Sequence, residues 1–269
     1  MLRVTGGRPG HICTVISTRM LRERARSVPG TRIGLIVPSS NTTVESEFYR
    51  LAPKGFTVHA ARMGIREVTI AALARMERDA EAAAMLLSDA EVDVICYACT
   101  SGSFYRGMKH EHELAARLSD RSGAPVVTTS HAVISALNVL RAKRIAVCTP
   151  YTRQVNEKLA RFFAENGFVV ADLRGLGMVQ NTEIGRQPPE VAYDLVRRAE
   201  TGLVDAVFLS CTNLRTVEII GRLESEAGIP VTSSNVATFW YAVRTLGYRK
   251  RIEGLGRLLS NARLAPSKQ

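Results

Sequence analysis

The sequence repeats itself at an offset of 112 residues, and this spacing constrains the fold more than any other feature. Arg32-Ile33 recurs as Arg144-Ile145, Pro38 as Pro150, and Gly55-Phe56 as Gly167-Phe168. Val92-Asp93 recurs as Val204-Asp205, and Cys99-Thr100 as Cys211-Thr212. Gly123-Ala124-Pro125-Val126 then returns as Gly228-Ile229-Pro230-Val231, with the offset shortened to 105. Matches in one unbroken order imply a duplication. The unit is far longer than a solenoid repeat of about 20–50 residues, so the chain reads as two similar lobes.

Each half alternates strand and helix patterns. Ile33–Val37 is a continuous apolar run, as a strand covered on both faces of a parallel sheet requires. Ser39-Ser40-Asn41-Thr42-Thr43 supplies caps, and Val44–Leu51 continues as a helix. Phe56–Ala60 predicts a strand, Ile70–Ala90 one long helix, Val92–Ala98 a buried strand, and about Lys109–Ser122 a helix. Val126–Thr129 and Ala132–Leu140 predict a fourth strand and its helix. The second half repeats this with strands near 145–149, 168–172, 204–210 and 230–232. The expected class is α/β, with a parallel four-stranded sheet flanked by helices in each lobe. The expected boundaries are a basic, disordered extension at 1–30, lobes at 31–142 and 143–248, and a basic tail at 249–269. Parallel sheets bind ligands beyond the carboxyl ends of their strands, which puts the active site in the cleft between the lobes.

Apolar residues make up 46% of the 269, enough for a sizeable core. No apolar run approaches the roughly 18–20 residues of a membrane span. The net charge of +11 raises the question of nucleic acid, but its distribution answers against it. Residues 1–30 and 247–269 each carry +5, leaving +1 for the 216 residues between. The basicity belongs to tails read as solvated, and no zinc-finger spacing or aromatic stacking platform accompanies it. Residues 1–30 lack the apolar core of a secretory signal, and Met20-Leu21-Arg22 reads as an alternative translation start. Five cysteines without a secretory signal imply free thiols and a cytoplasmic location.

The repeat sorts those cysteines. Shifted by 112, Cys96 falls on Phe208 and Cys148 on Ile36, so both read as inert core residues. Cys13 has no counterpart. Cys99 and Cys211 fall on each other, each just past an apolar strand and before a polar loop read as opening a helix. N–H groups at a helix start favour a thiolate and lower its pKa. With Thr100, Ser101, Thr212 and Asn213 they can hold a carboxylate or a developing enolate. Two buried small hydrophobes are the plain alternative. Asn41 reads equally as a helix cap, Tyr151 as a loop aromatic and Asn181 as a turn residue.

The stretches Ile33-Gly34-Leu35-Ile36-Val37-Pro38-Ser39-Ser40-Asn41-Thr42-Thr43, Cys99-Thr100-Ser101-Gly102-Ser103-Phe104-Tyr105-Arg106-Gly107, Thr149-Pro150-Tyr151, Gln180-Asn181 and Ser210-Cys211-Thr212-Asn213-Leu214 resemble maleate cis-trans isomerases and arylmalonate decarboxylases. Both belong to the aspartate/glutamate racemase superfamily, and the resemblance covers about residues 31–248. The Pro-Ser-Ser-Asn-Thr-Thr loop and the paired cysteines are similar to the isomerases. Ser-Phe-Tyr-Arg-Gly is similar to the decarboxylases, which typically carry Gly at the position of Cys99. The resemblance implies a cofactor-independent enzyme with Cys99 as nucleophile, Cys211 as acid/base or anion stabiliser, and Asn41, Tyr151 and Asn181 gripping a small carboxylate. It implies a homo-oligomer, dimer or tetramer. Amino-acid and hydantoin racemases also keep both cysteines and stay open as alternatives, as does a ligand-binding protein on the same fold.

The remaining candidates carry less. His110-Glu111-His112 lacks the spacing of the zinc motif His-Glu-x-x-His and reads as solvated. His131 follows a strand and could reach the cleft. Gly175-Leu176-Gly177 lacks the third glycine of a dinucleotide loop. No metal or nucleotide cofactor is expected, and a tightly bound metal would contradict that expectation.

Overall fold

The computed structural model describes residues 30–266. The 1–29 part of the expected extension, with Cys13 and Met20, lies outside the described residues. The first lobe runs β1 (Thr31–Pro38), α1 (Val44–Leu51), β2 (Phe56–Met63), α2 (Ile70–Met76), α3 (Ala80–Ser88), β3 (Val94–Tyr97), α4 (Thr100–Phe104), α5 (Met108–Ser122), β4 (Val126–Thr128) and α6 (Thr129–Val139). The second runs β5 (Arg144–Thr149), α7 (Arg153–Glu165), β6 (Val169–Gly175), α8 (Asn181–Arg186), α9 (Pro189–Arg197), β7 (Ala206–Leu209), α10 (Ile220–Ala227), β8 (Val231–Ser233) and α11 (Ser234–Thr245), with α12 (Gly256–Ser260) closing the described chain.

Two four-stranded parallel sheets result, ordered β2-β1-β3-β4 and β6-β5-β7-β8. The shared order is the duplication seen in three dimensions, and the expected fold class holds. The apolar run of β1 is central: Ile33, Leu35, Ile36 and Val37 are fully buried, paired to β2 on one side and β3 on the other. Burying each such side chain stabilises by about 1.5–3 kcal/mol. In each lobe a cysteine of the matched pair sits two residues past the third strand, Cys99 after Tyr97 and Cys211 after Leu209.

The lobes interlock. α11 leaves the second sheet and packs on α6, α1, β3 and β4 of the first lobe, while α4 packs on α7 of the second. Trp240 and Arg244 of α11 are among the largest fully buried side chains.

Three expectations are corrected. The long helix over Ile70–Ala90 is broken by a 3-10 turn at Glu77–Asp79, because both acids bond away from the helix. Glu77 accepts from Tyr105 Oη (2.8 Å) and Arg117, and Asp79 accepts from Gly64 N (2.9 Å). The helix expected straight after Cys211 is absent: residues 211–219 form a turn-rich loop and α10 starts only at Ile220. The 249–266 part of the tail is docked rather than solvated. Leu258 and Leu259 are buried, and the Arg244 guanidinium donates to the carbonyls of Tyr248 (2.7 Å), Leu264 (3.1 Å), Lys250 (3.3 Å) and Asn261 (3.4 Å). Among the described residues no helix is long and apolar enough to cross a membrane.

Candidate active site

The carboxyl ends of the two sheets meet over a cavity lined by Asn41, Cys99, Thr100, Ser101, Tyr151, Asn181, Cys211 and Thr212, with Pro38, Ile65, Val68 and Leu73 supplying apolar wall. Eight of the nine residues expected from the sequence line it. The ninth, Asn213, turns away as a bracket: its Oδ1 accepts from Thr42 N (2.9 Å) and its Nδ2 donates to Asn181 O (2.6 Å), tying the loops together. The room left is about 10 Å³, that of about one water, so the cavity is narrow. Beside the lining residues Val68 and Asn181 a short antiparallel bridge joins Glu67 to Gln180. Val68 N donates to Val179 O (2.8 Å) and Asn181 N to Arg66 O (2.9 Å).

Cys99 caps α4. Its Sγ accepts from Gly102 N at 3.3 Å and lies 3.8 Å from Ser101 Oγ. Gly102 is required there, since a Cβ would lie 2.8 Å from Met76 Cε, 2.9 Å from Tyr97 Oη and 3.0 Å from the Cys99 sulfur. Cys211 is presented differently. Its φ of +108° is a conformation that L-residues other than glycine rarely adopt, held at a cost of about 1–3 kcal/mol. Its Sγ accepts from Asn213 N at 3.4 Å. The strain aims the second thiol at the cavity without a helix to carry it.

The surrounding side chains cross the lobe boundary. Asn41 Oδ1 accepts from Thr43 N and Val44 N, capping α1 as its plain reading has it, while its Nδ2 donates to Thr212 Oγ1 at 3.1 Å. Thr212 Oγ1 donates to Ala98 O (3.0 Å). Asn181 Nδ2 donates to Ser40 Oγ (2.9 Å). Tyr151 Oη lies 3.4 Å from Ser210 Oγ and its ring packs on Phe104. Among the described residues no lysine, arginine, aspartate or glutamate lines the cavity. Amides, hydroxyls and backbone N–H groups are therefore what it offers a bound anion.

Electrostatics corrects the expectation of an acidified thiol. Burial pushes Cys99 up to about 11, against the opposing pull of Gly102 N–H and the Ser101 hydroxyl. Burial pushes Cys211 up to about 12, and the neighbouring Cys99 adds to the rise. Desolvation outweighs the few donors. Both thiols are protonated at rest. Cys96 and Cys148 are fully buried in β3 and β5 and raised by burial as well.

Sequence reasoning missed two supports. Ser234 Oγ accepts from Thr100 Oγ1 (2.8 Å) and from Cys211 N (3.0 Å), joining the loops of both cysteines. It follows the fourth strand of its lobe, a carboxyl-end position that the fold marks as worth reading. Glu47, 4% exposed, accepts from Thr216 N (2.7 Å), Val217 N (3.0 Å) and Asn235 Nδ2 (2.6 Å). It fixes the far end of the Cys211 loop. Its signal was present: Val44, Glu47, Phe48 and Leu51 share the buried face of α1, where an acid is out of place.

His131 does not line the cavity; its ring packs on Tyr241 and its Nε2 lies 3.1 Å from Tyr241 Oη. His112 is exposed as expected, but His110 is not, since its Nε2 bonds Glu77 Oε2 at 2.8 Å with 14% of the side chain accessible.

Comparison with known proteins agrees with this architecture. A maleate isomerase from Pseudomonas putida is 34% identical over 244 residues, covering 86% of this chain and 98% of that protein. A Nocardia farcinica maleate cis-trans isomerase, solved as a cysteine-to-serine mutant with a covalently bound succinylcysteine intermediate, superposes with a TM-score of 0.83 at 32% identity, over 86% of this chain and 98% of that one. An arylmalonate decarboxylase from Bordetella bronchiseptica is 34% identical over 233 residues, 86% of this chain and 97% of that protein. The sequence profile of the arylmalonate decarboxylase family matches residues 33–259, and with two interlocked parallel sheets and relatives aligned along nearly their whole length, the chain belongs to the family of maleate isomerases and arylmalonate decarboxylases.

Proposed function

We propose that the chain is a cofactor-independent cis-trans isomerase of maleate or a similar small dicarboxylate, with its two lobes, residues 31–142 and 143–248, acting as one clamp. The observation that carries this reading is a thiol at both matched positions facing one buried cavity. A C=C bond does not rotate, so the reaction must make it single for a moment. The Cys99 sulfur bonds one alkene carbon. The π pair moves toward the other carbon and its carboxylate and is taken up by a proton from Cys211, giving a succinyl thioether. In the same step the Cys99 S–H proton passes to Cys211, so the sum is addition of Cys99 S–H across the double bond. Rotation follows; as the C–S bond breaks, Cys211 gives its proton to the departing Cys99 sulfur and takes the carbon proton in exchange, so both thiols are restored and fumarate leaves. Asn41, Tyr151, Asn181 and the hydroxyls of Thr100, Ser101 and Thr212 hold the carboxylates; Asn213 holds the loops that present them.

The maleate isomerase relatives support this substrate class, and the succinylcysteine named for one of them supports the covalent route. The second reading is decarboxylation, favoured by the family profile itself. It needs only the Cys211 proton donor, so Cys99→Gly would keep or raise it. Acid quench of the enzyme turning over maleate, followed by peptide mass spectrometry, should place an adduct of maleic-acid mass on Cys99. Release of carbon dioxide from an arylmalonate with no adduct from maleate decides for the decarboxylase. Solvent deuterium exchanged into an amino acid without an adduct decides for a racemase. The same reading includes a homo-oligomer, dimer or tetramer, in the cytoplasm, with no nucleic-acid partner; light scattering on the purified chain tests the assembly.

A further inference from the structure

Away from the cleft, a ligating atom of each of Glu111, His112 and His131 lies within 4.8 Å of the other two. Glu111 and His112 stand on α5, and His131 is brought beside them by the first turn of α6. We infer that these three residues form a site for one divalent cation of the zinc class, which clamps α5 to α6 and takes no part in the reaction.

The carboxylate is the main argument. Glu111 is 1% exposed. Its Oε1 accepts from the Thr128 hydroxyl, but its Oε2 is buried without a hydrogen-bond partner. A buried carboxylate oxygen left this way is costly, and a cation is the group that satisfies it. His112 Nε2 already lies 3.4 Å from that oxygen. The His131 ring is oriented by Tyr241, as ligand imidazoles are characteristically held by an outer partner. Two imidazoles and one carboxylate suit zinc and leave a fourth position for water.

Metal–ligand bonds of about 2.0–2.2 Å put tetrahedral ligands roughly 3.3 Å apart, so the present spacing must close by an ångström or so. His112, with 56% of its side chain exposed, has the freedom to swing in, and the same exposure gives the ion its path. The spacing His110-Glu111-His112 hid this arrangement, because its third ligand comes from the next helix.

The site touches the fold at a useful point. Thr128, which bonds Glu111, also caps α6 by accepting from His131 N (3.2 Å). Next along, Thr129 Oγ1 donates to Tyr97 O (3.1 Å) and Ser130 N to Ser103 Oγ (3.1 Å). A bound ion would thus stiffen the seat of the strand and helix that carry Cys99.

The test uses the full chain with Cys99→Ser and Cys211→Ser, so that the cavity thiols do not compete. Zinc chloride titrated by calorimetry should bind one equivalent per chain. Zinc at about a hundredfold excess over Kd should raise the thermal midpoint by roughly 5–10 °C. Adding His112→Ala, at an exposed position, should weaken binding at least about tenfold, the scale on which even a residue that only orients a ligand acts, and abolish the midpoint shift. Glu111→Gln should do the same. Absence of binding, or equal affinity with and without His112, overturns the site. Loss of wild-type turnover on removing zinc with a chelator overturns its non-catalytic role.

Discussion

Glu47→Gln tests whether a buried acid holds the Cys211 loop. Burial raises the Glu47 carboxyl from 4.5 to about 7, against three donors and with the charge of Glu218 adding to the rise. The folded protein therefore binds this proton more tightly than the unfolded chain. The resulting stability is complete below about 4.5 and is lost as pH rises to and through 7. Between pH 5 and pH 8 the loss amounts to about 2.5 kcal/mol. Glutamine has no proton to lose. Its Oε1 can still accept from Thr216 N and Val217 N, while its Nε2 meets Asn235 Nδ2 donor to donor, a conflict costing about 1–3 kcal/mol at every pH. The difference in unfolding free energy, wild type minus variant, should therefore shrink by about 2.5 kcal/mol from pH 5 to pH 8. Other titrating groups cancel in the subtraction. Urea unfolding followed by the fluorescence of Trp240, the single tryptophan and fully buried, measures it. A difference constant to within about 0.5 kcal/mol would refute the raised carboxyl.

Cys99→Ala and Cys211→Ala should each lower turnover at least about 100-fold, the scale of losing a nucleophile or an acid/base, whereas Cys96→Ala and Cys148→Ala should cost about 1 kcal/mol of stability and leave the chemistry alone; initial rates and urea midpoints separate the two pairs. Gly102→Ala should push Cys99 out of line and lower kcat at least about tenfold, with a melting midpoint down by a few degrees; unchanged kcat would mean that Met76 alone absorbs the methyl. With Cys99 held near 11, iodoacetamide labelling of the substrate-free enzyme should quicken about tenfold per pH unit from 7 to 9, and a plateau near 8.5 would show an ordinary exposed thiol instead.

Much of the architecture was legible because duplication and burial leave marks in sequence. The apolar run Ile33–Val37 marks a strand covered on both faces, and the offset of 112 separates Cys99 and Cys211 from Cys96 and Cys148. What stayed hidden depends on contacts between distant segments. The break at Glu77 is set by Tyr105, His110 and Arg117 from further along the chain. The Cys211 loop departs from its twin because Glu47, Ser234 and Asn235 shape it, and none of them lies nearby in sequence. The arginines near the C-terminus looked like solvated charge, yet Arg257 N donates to the buried Glu224 carboxylate (2.6 Å) and Arg257 Nη2 to Gly228 O (2.8 Å). The acidity of the cavity thiols was misjudged for a related reason, since a sequence shows which donors stand near a sulfur but not how completely water is removed from it.

The bridge between Glu67 and Gln180 turns the cleft into a compartment with a seam. Its two lips follow β2 and β6, the same place in each half of the duplication, so neither lobe releases the other alone. On the proposed isomerase reading, a cis acid that enters and a trans acid that leaves across this seam would part the bonds from Val68 N and Asn181 N. While they hold, they would help keep bulk water from the charge that develops on the substrate as the Cys99 sulfur adds. Throughput then becomes a matter of traffic: forward and reverse turnover pass one gate, share one ceiling, and should slow together as the solvent is made more viscous.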